Sequence, residues 1–175
     1  MRYKYCPECG SKLIPKHAGD DGAVPYCERC KEFRFDTFYS CVIVLTYNEF
    51  DEIILCRQGY LSDRYTSVTS GYISPGENAE QCALREVREE LGIDLESLEY
   101  AGTYWFGRKD MLMHGFIGFA HKQEFVLSEE IDSAEWVPAA KAPETMYPDG
   151  PGNALHALYR LYLKKKLTIA VFLNF

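Results

Sequence analysis

The pattern of hydrophobic and polar residues predicts strands and helices along most of the chain. Ser40 to Tyr47 is a continuous apolar run rich in β-branched residues, which is typical of a strand covered on both faces, and Glu52 to Cys56 should pair back with it as a hairpin. Leu98 to Tyr104 and Leu112 to His121 predict further strands. A last helix is expected after Asn153, which can cap it. Its inward positions should be Leu155, Leu158, Tyr159 and Tyr162.

The segment from Gly71 to Ile93 carries clear helix signals. Asn78 can cap a helix through its side-chain oxygen, and Gln81 stands at the reciprocal position of a capping box. A helix is therefore predicted from about Ala79 to Leu91, with Gly92 as its C-terminal stop. The apolar stripe that should dock this helix onto a sheet consists of Ala83, Leu84, Val87 and Leu91.

Three carboxylates cluster on another face of the same predicted helix: Glu86, Glu89 and Glu90. Like charges at these spacings repel, and Arg85 and Arg88 can offset only part of that repulsion. Divalent cations bind such oxygen clusters, and Mg²⁺ is usually held by a few carboxylates together with substrate phosphates. The acidic cluster alone leaves two interpretations open, a metal site and a solvated charged face.

The spacing of these residues resembles the Nudix box. Five residues separate Gly71 from Glu77, seven more lead to the run Arg85 to Ile93, and every defining position is filled. The resemblance implies an α/β fold, namely an α/β/α sandwich with a mixed sheet. It also implies an enzyme that hydrolyses a nucleoside diphosphate linked to another moiety. It also implies that Glu77 supports the loop and helix and that Arg85 orients a glutamate. The implied ligands of Mg²⁺ or Mn²⁺ are Glu86, Glu89 and Glu90, and the implied catalytic residues are Glu86, Glu89 and Arg85.

The first third of the chain contains two Cys-x-x-Cys pairs. Cys6 and Cys9 form the first pair, and Cys27 and Cys30 form the second. Seventeen residues separate the two pairs, which matches a four-cysteine zinc ribbon with a structural Zn²⁺. Two disulfides are the alternative, which a reducing cytoplasm disfavours. His17 lies between the pairs and is expected at the surface, because four thiolates complete the shell. The other cysteines should be small core residues: Cys41, Cys56 and Cys82.

Composition suits one medium domain and a small module. The 175 residues are 47% hydrophobic, which is enough to bury a core. We divide them into a zinc ribbon (1–36), a Nudix domain (37–166) and an apolar, β-prone tail (167–175). The net charge of −7 argues against a broad nucleic-acid-binding surface. No apolar run is long enough to span a membrane, and the N-terminus lacks a signal peptide's apolar region, so a cytoplasmic protein is expected. We also expect a homodimer that acts on a small-molecule nucleotide.

A zinc ribbon directly ahead of a Nudix domain resembles the NADH pyrophosphatase family, and the resemblance covers the chain from Cys6 to about Leu163. It implies that Glu130 is a further metal ligand, because the segment up to Trp136 resembles the family's downstream metal-binding segment. It also implies that Ala154 contacts the substrate. The carbonyl of Ser70 is another candidate ligand, because the backbone is expected to bend there.

The family's substrate signature, Ser-Gln-Pro-Trp-Pro-Phe-Pro, is replaced here by the run Thr103 to Lys109. The prolines of that signature and its glutamine are missing. Tyr104, Trp105 and Phe106 can either stack on a base or nicotinamide ring or be half-buried strand aromatics. Arg108 adds positive charge, which favours an anionic moiety over neutral nicotinamide ribose. We therefore expect cleavage of NAD(H)- or ADP-ribose-like compounds, with a non-catalytic nucleotide sensor and the decapping of NAD-capped RNA as alternatives.

Overall fold

A computed structural model describes residues 3–173, with side chains for residues 3–168. The chain divides into two units, Met1–Phe38 and Tyr39–Phe175. The strands of the first unit are β1 (Ile14–His17), β2 (Ala23–Cys27) and β3 (Glu32–Phe33). The second unit contains β4 (Tyr39–Tyr47), β5 (Glu52–Arg57), β6 (Thr69–Tyr72), α1 (Ala79–Leu91), β7 (Ser97–Phe106), β8 (Met111–Phe119), β9 (Ser133–Pro138) and α2 (Ala154–Leu173). Short 3₁₀ helices span Gly19–Asp21 and Ala139–Glu144.

The first unit is built on a small antiparallel sheet in the order β1-β2-β3. Its buried cluster in the described residues comprises Cys6, Leu13 and Cys27. A unit of this size buries too little apolar surface to be stable without a metal, a disulfide or a partner. The cysteines of this cluster are therefore central to its stability.

The second unit is organised around a mixed sheet in the order β7-β8-β4-β5-β9, and β6 also pairs with β4. Strand β4 runs parallel to β8, from Tyr39 opposite Met111 to Tyr47 opposite Phe119. The other pairs of this sheet are antiparallel. Residues 41–46 of β4 are all buried, which confirms the prediction of a strand covered on both faces.

Alternate side chains of β4 enter two different core layers, because successive residues of a strand point to opposite faces. Val42 and Val44 pack into a layer that includes Val87 and Leu91 of α1. Residues 43 and 45 pack into a layer with the inward side of α2. The helices therefore cover opposite faces of the sheet, which confirms the predicted α/β/α sandwich.

Helix α1 begins and ends where the local signals predict. The side chain of Asn78 accepts from the backbone N–H of Gln81 at 2.8 Å, and the side chain of Gln81 accepts from the N–H of Asn78 at 2.9 Å. Gly92 ends the helix in a left-handed conformation, with φ of 70° and ψ of 20°. A side chain is strained in that conformation, so a glycine suits the position.

Helix α2 confirms the predicted inward positions, and it corrects the prediction for the tail. Leu155, Leu158, Tyr159 and Tyr162 are buried. The prediction of a β-prone segment from residue 167 is wrong for the described part, because α2 continues without a break to Leu173. Extending an existing helix avoids the cost of nucleation, and this outweighs the β propensity of the segment. Residues 174 and 175 of the predicted tail lie outside the described residues.

Candidate metal and catalytic site

Arg85 connects the loop after β6 to one face of α1. Its Nε and Nη2 donate to the two carboxylate oxygens of Glu77 at 3.0 and 2.6 Å, a bidentate geometry that fixes both side chains. Its Nη1 donates to Glu86 and to Glu89, at 2.8 Å each. The same oxygen of Glu77 that binds Nη2 also accepts the backbone N–H of Ser74 at 2.7 Å. The loop, the helix and two acidic side chains are thus held by one guanidinium group.

The protonation of this pair follows from its geometry. The hydrogen bonds from Arg85, helped by the Ser74 N–H, lower the pKa of Glu77 to about 2. Glu77 in turn is the largest contributor to a raised pKa of Arg85. Both groups therefore remain charged across the physiological range, which suits a permanent support for the loop and helix.

Gly71 allows the carboxylate of Glu86 to lie against strand β6. A Cβ atom at Gly71 would stand 2.0 Å from Cδ of Glu86, far closer than any real contact. The glycine is therefore required by the close approach of this side chain. Burial raises the pKa of Glu86, and the Arg85 guanidinium opposes that rise.

Glu90 is a buried carboxylate with an unsatisfied oxygen. Only 3% of its surface is exposed. Its Oε1 accepts from Nε2 of Gln58 at 3.3 Å, whereas its Oε2 has no hydrogen-bond partner among the described residues. Burial, followed by the charges of Glu86 and Glu130, raises its pKa to about 8. A buried acceptor without a partner is costly, and a cation bound to that oxygen would remove the cost. The site therefore fits a divalent metal.

Glu130 is brought to this cluster by its neighbours along the chain. The N–H of Ser128 donates to the carbonyl of Glu90 at 3.1 Å, and the N–H of Asp132 donates to the carbonyl of Arg57 at 3.0 Å. The charge of Glu130 contributes to the raised pKa values of Glu86 and Glu90, which places it within electrostatic reach of both. The turn at residues 128–131 thus brings a further carboxylate near Glu86 and Glu90.

The remaining predicted ligands differ in position. Glu89 is exposed over 59% of its side chain and is turned toward Arg85. Ser70 lies on β6 opposite Ile43, next to Gly71. In the described part of the chain, no three of these carboxylates bring ligand oxygens within 4.8 Å of one another. Without a cation, their mutual repulsion favours the arginine as the partner of Glu86 and Glu89.

The four predicted zinc ligands do converge. Among the described residues, Cys6, Cys9, Cys27 and Cys30 form a group whose sulfur atoms all lie within 4.8 Å of one another. The Sγ atoms of Cys6 and Cys30 are 3.9 Å apart and those of Cys9 and Cys27 are 3.4 Å apart. A Zn–S bond of about 2.3 Å places the sulfurs of a tetrahedral site about 3.8 Å apart. The cluster can therefore hold a metal ion, and all four cysteines are free thiols rather than disulfides.

The surroundings of these sulfurs shift their pKa values in opposite directions, because the contact with Cys9 is the largest cause of a rise in the pKa of Cys30 to about 12. Hydrogen bonding to Ser11 lowers the pKa of Cys9 to about 6. Arg34 donates to both carboxylate oxygens of Glu8, at 3.1 and 2.7 Å. Glu8, followed by Cys30, raises the pKa of Arg34 and keeps a positive charge beside the sulfurs. His17 is exposed, as predicted.

The three predicted aromatic contacts do not form one platform. Tyr104 lies opposite Met113 and Phe106 opposite Met111, so both point to the α2 side of the sheet. The ring of Tyr104 packs over Gly115, and its hydroxyl donates to the carbonyl of Ala101 at 2.7 Å. Trp105, which is 49% exposed, points to the opposite face. Tyr104 is therefore a strand aromatic packed in the α2 layer, and Phe106 points to the same face of the sheet.

Two further predicted contacts lie near the end of β7. Arg108 is exposed in the turn between β7 and β8. A Cβ atom at Gly152 would be 3.5 Å from the carbonyl of Trp105, so the loop before α2 runs beside this strand end. Ala154, the first residue of α2, is only 5% exposed and packs in the α2 layer. The burial of Ala154 therefore leaves little of this residue accessible to a ligand.

Sequence reasoning missed Gln58. This side chain is buried and contacts Glu90 from the loop after β5. The sequence shows only a polar residue following a strand, a pattern shared by ordinary surface residues. The burial of Gln58 becomes evident only in the structure, where its side chain donates to Glu90 of α1.

Fold and site together define an α/β/α sandwich domain in which a loop and the helix that follows it carry a cluster of glutamates. The family model described as NUDIX domain matches residues 37–158, and the chain belongs to this family. It is 31% identical over 172 residues to the NAD-capped RNA hydrolase NudC of Stutzerimonas stutzeri, an alignment that covers 95% of this chain and 58% of that protein. The chain spans about half the length of the curated relatives it matches.

Solved structures show the same fold. A Nudix hydrolase from Nitrosomonas europaea superposes with a TM-score of 0.71 at 17% identity, covering 95% of this chain and 93% of that one. The Nudix domain of Shewanella oneidensis NrtR, solved with ADP ribose, gives a TM-score of 0.62 at 15% identity, covering 79% and 93%. Among the helices of residues 3–173, none is both long and apolar enough to span a membrane.

Proposed function

We propose that the chain hydrolyses the diphosphate bond of a nucleoside diphosphate linked to another moiety, of the NAD(H) or ADP-ribose type. The observation that carries this proposal is the buried Oε2 of Glu90, which lacks a hydrogen-bond partner in the described part of the chain and lies within an acidic cluster. An acidic cluster without a cation is costly, and a diphosphate with its bound cation supplies the charges that this face lacks.

The proposed ligands of Mg²⁺ or Mn²⁺ are the box glutamates, the downstream glutamate and one carbonyl: Glu86, Glu89, Glu90, Glu130 and the Ser70 carbonyl. When bound, such ions neutralise charge that develops on the phosphates and lower the pKa of a bound water. The carboxylate of Glu86 lies against Gly71, and Ser70 is the residue before Gly71 on β6. This proximity supports a shared site for these two ligands.

The catalytic roles are proposed for Glu86, Glu89 and Arg85. Arg85 positions the two glutamates through its Nη1 atom. Glu89 uses Oε2 for that contact, which leaves Oε1 of an exposed side chain available to accept a proton from water. Glu77 pairs with Nε and Nη2 of Arg85, whereas Glu89 accepts from Nη1. The proposed role of the guanidinium is therefore to orient Glu89 and not to bind the substrate phosphates.

The substrate end of the proposal rests on Trp105 and Arg108. Trp105 is half exposed at the end of β7 beside the loop that precedes α2, and an exposed indole can stack on a base. Arg108 lies in the adjacent turn, where a guanidinium can pair with a phosphate or another anionic group. The NrtR domain was solved with ADP ribose, which supports the proposal of a compound of this class.

A substrate panel tests the proposal. Release of mononucleotide from NADH, NAD⁺ and ADP-ribose is measured with Mg²⁺ or Mn²⁺ for the parent, for Arg108→Ala and for a control at an exposed arginine of the first unit, Arg29→Ala. We expect turnover in the parent, ADP-ribose at least as good as NADH, and a loss confined to Arg108→Ala. No turnover of any compound would mean that the hydrolase proposal is wrong. A preference for NADH that survives Arg108→Ala would refute the role of the turn.

Hydrolysis of NAD-capped RNA is a second candidate. It is favoured by the similarity, over 95% of this chain, to a protein named for that activity. The net charge of −7 gives less support for an RNA path. Adding an NAD-capped RNA to the panel, with NAD⁺ as the matched small molecule, separates the two candidates. Tight binding of a nucleotide without turnover would instead favour a sensor.

We also propose that Zn²⁺ occupies the cysteine cluster. The sulfur distances suit a tetrahedral site, and the first unit has little apolar core. Metal analysis of the parent should find one zinc per chain. Cys9→Ser should lose it and Cys41→Ser, a buried cysteine of β4, should keep it. A folded, zinc-free parent would contradict the proposal.

A homodimer and a cytoplasmic location complete the proposal. Tyr39 and Tyr72 support the dimer, because both are more than half exposed and their rings meet at 5.6 Å to form an aromatic patch. Sedimentation of the parent and of Tyr72→Ser measures the mass and its dependence on this patch. The location is supported by the cysteines, since unpaired cysteines are typical of proteins in a reducing compartment.

A further inference from the structure

The segment Arg57–Gly59 contacts two parts of the acidic cluster from one place. Gln58 is 9% exposed, and its Nε2 donates to Oε1 of Glu90 at 3.3 Å. The carbonyl of Arg57 accepts the N–H of Asp132 at 3.0 Å, and the N–H of Gly59 donates to a carboxylate oxygen of Asp132. Asp132 lies two residues beyond Glu130. Residues 57–59 thus contact both the buried carboxylate of Glu90 and the segment that carries Glu130.

The contact of Gln58 leaves Glu90 with one bonded oxygen and one open oxygen. A carboxylate can rotate about its last side-chain bond, so the amide determines which oxygen is occupied and where the other one points. The open Oε2 is itself buried and has no partner among the described residues. An amide donor at this position therefore orients the ligand oxygen without adding charge to an already negative cluster.

We propose that Gln58 is a positioning residue, which orients Glu90 so that its Oε2 is presented to a divalent cation. This inference rests on the proposed function of the acidic cluster as a metal site. It predicts that removing the amide weakens cation binding although Gln58 is not itself a ligand. Partners that hydrogen-bond to metal ligands typically change metal affinity by about 10- to 100-fold when they are removed.

The test measures Mn²⁺ binding directly, by electron paramagnetic resonance of free Mn²⁺, on protein that retains the metal of its cysteine site. Gln58→Met keeps the length of the side chain and removes the donor. Gln123→Met makes the same change at an exposed glutamine outside the cluster. We expect Mn²⁺ affinity to fall about 10- to 100-fold in Gln58→Met and to stay at the parent value in Gln123→Met. In turnover assays, kcat at a fixed Mn²⁺ concentration should fall more than KM rises.

Each outcome separates the inference from the function on which it rests. If the parent binds no Mn²⁺ at a site removed by Glu90→Gln, the proposed metal site is wrong. If the parent binds Mn²⁺ and Gln58→Met binds it equally well, the positioning role is refuted. If Gln58→Met does not fold by circular dichroism, Gln58→Asn replaces it, because the shorter amide cannot reach Glu90. Parent-like Mn²⁺ affinity in Gln58→Asn would likewise overturn the inference.

Discussion

Replacing Glu90 by glutamine should stabilise the protein in the absence of divalent cations and abolish its stabilisation by them. Burial raises the pKa of this carboxyl group from 4.5 to about 8. The folded protein therefore binds the proton more tightly than the unfolded chain. The contribution to stability is fully present below pH 4.5 and is lost as the pH rises through about 8. Glutamine has nearly the same shape and carries no charge at any pH, so the variant should escape this loss.

The magnitude follows from the difference between the two pKa values. Raising the pKa from 4.5 to about 8 corresponds to at most about 5 kcal/mol of unfolding free energy, of which about 3 kcal/mol is lost by pH 7. Glu90→Gln should therefore match the parent near pH 4.5 and exceed it increasingly toward pH 8. Added Mn²⁺ should stabilise the parent in proportion to the logarithm of its concentration and leave the variant unchanged.

Urea unfolding followed by tryptophan fluorescence measures this difference, because Trp105 and Trp136 both belong to the second unit. The buffer contains no divalent cation and no chelator, so that the cysteine site keeps its metal. Glu89→Gln serves as a control, since Glu89 is exposed and its replacement relieves no burial. If Glu90→Gln were less stable than the parent at pH 8, or if the two differed by a constant amount from pH 5 to 8, the reasoning would be refuted.

Two further substitutions test the support of the acidic cluster. Gly71→Ala should lower kcat at least about 10-fold with little change in stability, because the new Cβ would displace the Glu86 carboxylate that lies 2.0 Å from its position. Gly150→Ala, where a Cβ meets nothing within 4 Å, should leave kcat unchanged, and equal kcat values in both variants would contradict the argument. Arg85→Lys should lower kcat by about 10- to 100-fold while the helix stays folded, because lysine cannot reproduce the bidentate contact with Glu77 and still reach Glu89. A kcat within a few-fold of the parent, with circular dichroism showing an intact fold, would show that the guanidinium does not orient the glutamates.

The elements that the sequence predicts correctly are those with local signals. The bounds of α1 follow from Asn78, Gln81 and Gly92, whose side chains or backbone conformations act within one turn of the helix. The buried run of β4 is recognisable because a strand covered on both faces shows no alternation. The convergence of the cysteines follows from their paired spacing, which a single metal geometry explains.

The directions of Tyr104 and Trp105 could not be predicted, because a bulge precedes them. The pairing of β7 with β8 shifts register between Tyr100 and Thr103, and Gly102 lies there with φ of 103°. An inserted residue reverses which later side chains face the core. The sequence contains a glycine at this point, yet a glycine inside a strand does not reveal how the partner strand pairs around it.

The three box glutamates share a helix face in the sequence, and yet they have different environments in the structure. Glu90 follows Ala83 and Val87 at helical spacing and is buried as they are, while Glu89 lies about 100° away around the helix and is exposed. Arg85 compensates Glu86 and Glu89, which it can reach, and does not contact Glu90 through any of its hydrogen bonds among the described residues. The uncompensated carboxylate is thus the one that water cannot stabilise either. A divalent cation would neutralise this carboxylate, and for that reason the burial of Glu90, more than the number of acidic residues, supports the proposal of a metal site on this face over a solvated charged face.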